Sequence, residues 1–63
     1  MLRNNLKACR EGRGLSQAEL AQAARISAAT VAQIERGEEV IISTKAAASI
    51  AEVLGVQPSK IFS

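Results

Sequence analysis

The chain has 63 residues, of which 48% are hydrophobic, and its eight basic and six acidic side chains give a net charge of +2. This length allows one domain, residues 1–63, with a small core, and the hydrophobic fraction excludes an intrinsically disordered tail. The net charge alone indicates no particular partner.

The residue types that most catalytic and metal sites need are largely missing. The chain has no His, no Asp and one cysteine, Cys9, so neither a metal site nor a pair of nucleophile and base can be assembled in the usual ways. The lone cysteine indicates a reducing compartment. There is neither the run of about 18 apolar residues that a membrane span requires nor a signal-peptide pattern. We therefore expect a cytoplasmic protein that is not an enzyme and has no cofactor, metal or small-molecule ligand.

A first helix is predicted before the glycines of the segment EGRG, residues 11–14. Apolar residues at helical spacing mark its inner face, and they are Leu2, Leu6 and Cys9. Basic residues with the same spacing mark an adjacent face, and they are Arg3, Lys7 and Arg10. The basic end is modest, so it suits a few phosphate contacts rather than a polybasic arm.

A second helix is predicted to begin at Gln17, because Ser16 followed by Glu19 is the pattern of a capping box. It is short and ends near Ala24. Its inward-facing residues include Ala21, which has to be small where the next helix crosses it.

A third helix is predicted over residues 28–36. Ser27 is a suitable N-cap, and Gly37 stands where a left-handed residue commonly ends a helix. Val31 and Ile34 are its expected core residues.

Two further helices complete the chain. Either Ser43 or Thr44 caps the fourth helix, Gly55 ends it, and Pro58 suits the first position of a final turn. The inner face of the fourth helix is expected to consist of Ala47, Ile50, Ala51 and Leu54. No segment alternates as a strand would. The predicted fold class is all-α, a compact bundle of five short helices.

Only a three-residue turn separates the second and third predicted helices. Helices so close in sequence can cross steeply, which is the geometry of a helix-turn-helix, here over residues 17–36. The outward face of the third helix is expected to carry Ala28, Ala29, Ala32 and Gln33. Alanine methyls permit close approach to base edges in a DNA major groove, but they also suit plain packing. The spacing alone leaves both interpretations open.

The combination of motifs is more specific than the turn by itself. The segment LSQAELAQAARISAATVAQIERG, with Leu6 and Arg10 before it and IAEVLGV and IF after it, resembles the helix-turn-helix of the phage repressor and Cro family. The similarity to lambdoid phage repressors covers nearly the whole chain. It implies a lambda repressor-like domain that binds double-stranded DNA sequence-specifically through a recognition helix, about residues 28–36, and regulates transcription as a repressor.

The resemblance also implies roles for individual residues. Ala28, Ala29 and Gln33 match the base-facing positions of the recognition helix, and Gln33 is expected to be its one exposed residue able to make a bidentate base contact. Gln17 matches a glutamine that binds a phosphate and braces the recognition helix. Positions of phosphate or neighbouring contacts are held by Ser27, Thr30 and Arg25. Arg10 and Glu35 match a structural ion pair of the family, which joins the first helix to the end of the third.

The sequence departs from the family pattern in three places. Arg25 stands at a turn position often held by glycine, where a left-handed backbone costs about 1–2 kcal/mol. The loop after the recognition helix is acidic, and Glu38 and Glu39 should repel DNA. Ala28 and Ala29 replace larger polar residues, so direct readout should depend on Gln33 and on DNA shape.

We expect the operator to be palindromic and the protein to be a weak homodimer. The apolar residues available for a two-fold contact are Val40–Ile42, Val56, Ile61 and Phe62. In the alternative, Ile41 and Phe62 cap the core of a monomer. The acidic loop and alanine-rich face also allow another function on the same fold, a protein-interaction module such as an antitoxin, coactivator or anti-repressor.

Overall fold

A computed structural model describes residues 5–38 and 41–62. Five α-helices run through them, namely α1 Leu6–Gly12, α2 Gln17–Ala24, α3 Ala28–Glu35, α4 Thr44–Leu54 and α5 Pro58–Ile61. These residues contain no strand, and the predicted all-α class is confirmed. The third helix ends at Glu35 rather than at Arg36, which occupies the C-cap. Four residues invoked from the sequence, Leu2, Arg3, Glu39 and Val40, lie outside the described residues.

The helices begin where the sequence places their caps. The Ser16 hydroxyl accepts a hydrogen bond from the backbone N–H of Glu19 at 3.0 Å, and the Glu19 carboxylate accepts one from the backbone N–H of Ser16 at 2.8 Å. This reciprocal pair is the predicted capping box. At α4 the cap is Ser43 rather than Thr44, since its hydroxyl accepts from the backbone N–H of Ala46 at 3.0 Å.

The core is a small cluster of aliphatic side chains shared by all five helices. Its largest fully buried members are Leu6, Leu20, Val31, Ile50 and Ile61. Helix α2 lies against both α3 and α4, while α1 contacts α3 and α5 contacts α4. Ala21 is buried, as its expected place at the crossing of two helices requires. Its short side chain lets α2 and α3 approach each other.

Several apolar residues lie differently from the sequence expectation. Ile61 is completely buried within the monomer, so it is unavailable for the expected dimer contact, and Phe62 and Val56 pack half-buried against the core. Ala47, assigned to the inner face of α4, is only half-buried. Ile41 is fully exposed and does not cap the core. A helical period distinguishes inner from outer positions within one element, but it cannot specify how far a neighbouring element covers each of them.

The C-terminal ends of α1 and α4 are joined by one side chain. Arg13 Nε donates to the backbone carbonyl of Leu54 at 3.0 Å, and its guanidinium covers Gly55 so closely that a Cβ there would collide with it. Gly55 is left-handed, with φ 70°, which glycine adopts without penalty. Among the helices of the described residues, none is long and apolar enough for a bilayer crossing.

Candidate nucleic-acid interface

The turn between α2 and α3 is closed by a left-handed arginine. Arg25 has φ 61° and ψ 43°, and it is the one non-glycine residue with a positive φ in the described parts of the chain. Its backbone N–H donates to the carbonyl of Gln22 at 3.3 Å, and that of Ile26 donates to Ala21 at 2.9 Å. These two bonds complete the end of α2. The left-handed turn considered from the sequence is therefore present, although its residue is not a glycine.

The N-terminus of α3 presents two hydroxyl groups that bind each other. The Ser27 hydroxyl accepts from the backbone N–H of Thr30 at 3.1 Å, and the two side-chain oxygens lie 2.8 Å apart. Because one hydroxyl proton is used between them, the other remains available to an external acceptor. Ser27 is exposed and Thr30 is half-buried, so both border the outer surface.

The outward face of α3 is small and uneven in exposure. Ala28 and Ala29 are exposed, whereas Ala32 and Gln33 are half-buried. The expectation of a freely exposed Gln33 is therefore wrong. The backbone carbonyl of Gln33 is used in closing the helix end, since it accepts from the backbone N–H of Glu38 at 3.1 Å.

A buried polar cluster fixes α3 from behind. Arg10 and Glu35 form the expected ion pair through two hydrogen bonds, Nε to Oε2 at 2.6 Å and Nη2 to Oε1 at 3.1 Å. The side chains are only 10% and 5% exposed. The third arm of the guanidinium donates to the carbonyl of Leu15 at 2.7 Å. Two parallel bonds between planar groups resist rotation, so the end of α3 is tied to α1.

The same cluster perturbs the ionisation of its members. Burial raises the pKa of Glu35, but the hydrogen bonds from Arg10 and Gln17 and the charges of Arg10 and Lys7 outweigh it, and the pKa lies below the ordinary value of 4.5. The hydrogen bond to Glu35 raises the pKa of Arg10 above its ordinary value, against the effect of burial. The pair is therefore ionised at neutral pH.

Gln17 joins this cluster from the first position of α2. Its side-chain Nε2 donates to Glu35 Oε1 at 3.0 Å. This contact joins the start of α2 to the last residue of α3, in line with the expected bracing of that helix by Gln17, for which the sequence indicated no partner. Within residues 5–38 and 41–62, the backbone N–H groups of Gln17 and Ala18 have no hydrogen-bond partner. They are the unsatisfied donors of a helix N-terminus, where an anion is favoured. The phosphate role of Gln17 itself stays a prediction.

One acidic residue of the segment after α3 is paired with an arginine. Arg36 Nε lies 2.6 Å from Glu38 Oε2, with both side chains about half exposed at 58% and 47%. The charge of Glu38 is thus balanced locally, and the hydrogen bond to Glu38 raises the pKa of Arg36. The repulsion of DNA by Glu38 stays a prediction. Across the described residues, no three His, Cys, Asp or Glu side chains are grouped as metal ligands.

Comparison with known proteins identifies the architecture. The model of the helix-turn-helix family matches residues 6–61. The solved structure of ClgR, the clp gene regulator of Corynebacterium glutamicum, is 31% identical with a TM-score of 0.75, and the match covers 86% of this chain and 56% of that one. No curated protein sequence matches.

Two other solved structures cover more of their own length. SinR, the master regulator for biofilm formation, in a structure with DNA, is 27% identical with a TM-score of 0.79, and the match covers 87% of each chain. The restriction-modification controller protein C.AhdI of Aeromonas hydrophila is 29% identical with a TM-score of 0.80, covering 92% of this chain and 86% of that one. This chain thus spans little more than half of ClgR but most of these two. The regulators that it resembles confirm the expectation that this domain is not an enzyme.

Proposed function

Because the chain belongs to the Cro/C1-type helix-turn-helix family, we propose that it binds double-stranded DNA sequence-specifically and regulates transcription as a repressor. The observation that carries the proposal is the outward face of α3, which is fixed from behind by buried Val31, Ile34 and the ion pair of Arg10 with Glu35. A rigid helix with a low outer surface can enter a major groove closely. The SinR structure with DNA supports the same use of this fold. The proposal places the protein in the cytoplasm, with the DNA of a bacterium or phage.

In the proposed complex, α3 reads bases mainly through one amide. Gln33 presents a donor and an acceptor that match the major-groove edge of adenine, and the methyls of Ala28 and Ala29 approach thymine methyls. Since Gln33 is half-buried, its reach is short, and the helix has to sit deep in the groove. Sequence-dependent DNA shape supplies the remaining selectivity.

Backbone phosphates are contacted beside the reading face. Gln17 and the free N–H groups at the start of α2 hold one phosphate. The spare hydroxyl proton of the Ser27–Thr30 pair serves a neighbouring position. Arg25, whose side chain has no hydrogen-bond or ion-pair partner among the described residues, supplies a further cation for a phosphate contact. Such contacts position the protein without reading sequence.

We further propose that two copies bind a palindromic operator as a weak dimer. Ile41 is 102% exposed. Of the other described apolar residues considered for this contact, Ile61 is fully buried, and Ile42, Val56 and Phe62 are half-buried against the core. The exposed isoleucine is the residue that a second copy would cover, and a two-fold contact suits two half-sites. Sedimentation at micromolar to millimolar concentration should show self-association that Ile41→Ser weakens. A strict monomer with and without DNA would refute the dimer.

Two glutamine variants test the DNA-binding proposal. Duplexes selected from a random pool supply the preferred site. Gln33→Ala should weaken the free energy of binding to that site by about 1–3 kcal/mol and reduce the selectivity at one base position. Gln17→Ala should weaken binding to all duplexes by a similar factor and leave the preference intact. Gln22→Ala, at an exposed position of α2, is the matched control and should bind as wild type does.

The outcome separates the two functions left open by the sequence. Affinity for random duplex should fall steeply as salt rises, since each phosphate contact releases counterions. If wild type shows no such dependence, and both glutamine variants bind preferred and scrambled duplexes as wild type does, α3 does not read DNA. The protein-interaction function would then be the better description.

A further inference from the structure

We infer that Glu35 is a positioning residue for the phosphate contact of Gln17, in addition to its structural pairing with Arg10. The inference rests on the proposed function, because it concerns how one of the proposed DNA contacts is held in place. It assigns to a buried carboxylate, which cannot itself approach DNA, an effect on DNA affinity.

The first step is the direction of the Gln17 amide. A glutamine amide has one end that donates and one that accepts. Glu35 is ionised and can only accept, so the NH₂ end of Gln17 has to face Glu35 Oε1, as the 3.0 Å contact shows. The amide cannot turn over without placing its own carbonyl oxygen against the carboxylate. Its second N–H and its carbonyl oxygen therefore have fixed directions before DNA arrives.

The second step is the rigidity of the acceptor. Glu35 is held by two hydrogen bonds from Arg10 and is 5% exposed on its side chain. Arg10 is in turn held by the carbonyl of Leu15, just before α2 begins. The acceptor for Gln17 is thus anchored to α1, α3 and the approach to α2. A charged acceptor of this kind makes a stronger hydrogen bond than a neutral one.

The third step is the place of Gln17 in the fold. It is the first residue of α2 and lies next to the unsatisfied backbone N–H groups at that helix end. A phosphate bound to those groups would accept a hydrogen bond from the second N–H of the Gln17 amide, whose rotamer is already fixed by Glu35. Binding then costs less ordering of the side chain, which is the usual advantage of preorganisation.

Two double variants separate the effect of the hydrogen-bond acceptor at position 35 from the effect of the ion pair. Arg10→Met with Glu35→Leu removes the charges and the acceptor, and buried ion pairs replaced in this way often keep their stability. Arg10→Met with Glu35→Gln removes the charges and retains a side-chain carbonyl that can accept from Gln17. Affinity for random-sequence duplex at low salt should be about two- to tenfold weaker for the leucine pair than for the glutamine pair.

The same comparison in the Gln17→Ala background supplies the control. If Glu35 acts through Gln17, the difference between the two pairs should disappear there. Equal affinities in the Gln17 background, or a difference that persists without Gln17, would overturn the inference and leave Glu35 a purely structural residue. In both of those cases the wild-type chain still binds duplex, so the proposed function stands. Failure of wild type to bind any duplex would refute the proposed function and this inference together.

A measurement on the wild-type protein tests the inference even if the double variants do not fold. The ¹⁵N order parameter of the Gln17 side-chain amide should be high in the free protein and change little when duplex is added. The exposed amide of Gln22 serves as the mobile reference. An order parameter below about 0.6 for Gln17, the range of flexible groups, would contradict the proposed preorganisation.

Discussion

Replacing Arg25 with glycine should make the domain more stable. Arg25 has φ 61° and ψ 43°, a conformation that costs a residue with a Cβ about 1–2 kcal/mol. Glycine avoids this penalty but loses about 0.5–1 kcal/mol more backbone entropy on folding. No hydrogen bond or ion pair of the Arg25 side chain with the described residues is lost. The expected net gain is about 0.5–1 kcal/mol, which raises the melting temperature of so small a domain by about 2–8 °C.

Thermal unfolding followed by circular dichroism, at one protein concentration, measures the effect. Arg25→Ala removes the same charge but keeps the left-handed penalty, so it should melt below Arg25→Gly. Arg36→Gly is the matched control, since Arg36 also follows a helix but has a right-handed φ of −78°. Glycine there relieves no strain and loses the contact with Glu38. The reasoning is wrong if Arg25→Gly melts no higher than Arg25→Ala, or if Arg36→Gly gains as much.

The same variant reports on the proposed phosphate contact. If Arg25 binds a phosphate, Arg25→Gly should weaken duplex binding at low salt and reduce the slope of log affinity against log salt by about one. Stability and affinity would then change in opposite directions. An unchanged isotherm would remove Arg25 from the interface.

Two further expectations concern stability. Gly55→Ala should lower the free energy of unfolding by about 1–3 kcal/mol, because a Cβ at φ 70° is strained and displaces the Arg13 guanidinium from its bond to the carbonyl of Leu54. Urea unfolding measures the loss, and Gly12→Ala, where a Cβ meets nothing, is the control. A loss at Gly55 no larger than that at Gly12 would contradict this expectation. Acid should destabilise the domain: since the folded pKa of Glu35 lies below 4.5, its contribution is present above the unfolded pKa and is lost as the pH falls through the folded one. Between neutral pH and about pH 3, the urea midpoint should fall less for the double variant Arg10→Met with Glu35→Leu than for wild type. Part of the fall should remain in the double variant, because hydrogen bonds from Ser16 also lower the pKa of Glu19. If the urea midpoints of the double variant and of wild type fall equally with pH, Glu35 is not the source of the acid sensitivity.

Local sequence signals predicted all five helices and most of their limits, although α3 ends one residue earlier than expected, at Glu35. Capping signals act within one helical turn, and Ser16 with Glu19 is such a signal, complete within four residues. Gly55 ends α4 because a left-handed backbone favours glycine wherever it occurs. The helical spacing of Val31 and Ile34 identified the buried side of α3. With the short turn, these local features are sufficient to predict the fold class and a helix-turn-helix, whereas the role of α3 as a recognition helix was implied by the resemblance to the phage repressor and Cro family.

Other contacts between groups far apart in the sequence became visible only in the tertiary structure, whereas the family resemblance had already implied the ion pair of Arg10 with Glu35. Gln17 and Glu35 are 18 positions apart, and Arg13 and Leu54 are 41 apart; no local spacing links either pair. The two isoleucines Ile41 and Ile61 have the same side chain, yet one is fully exposed and the other fully buried. Hydrophobicity favours burial equally for both, so the outcome depends on which helix packs over each. Those contacts form only once the helices are assembled, because long-range partners are chosen by packing and not by any signal within a single turn.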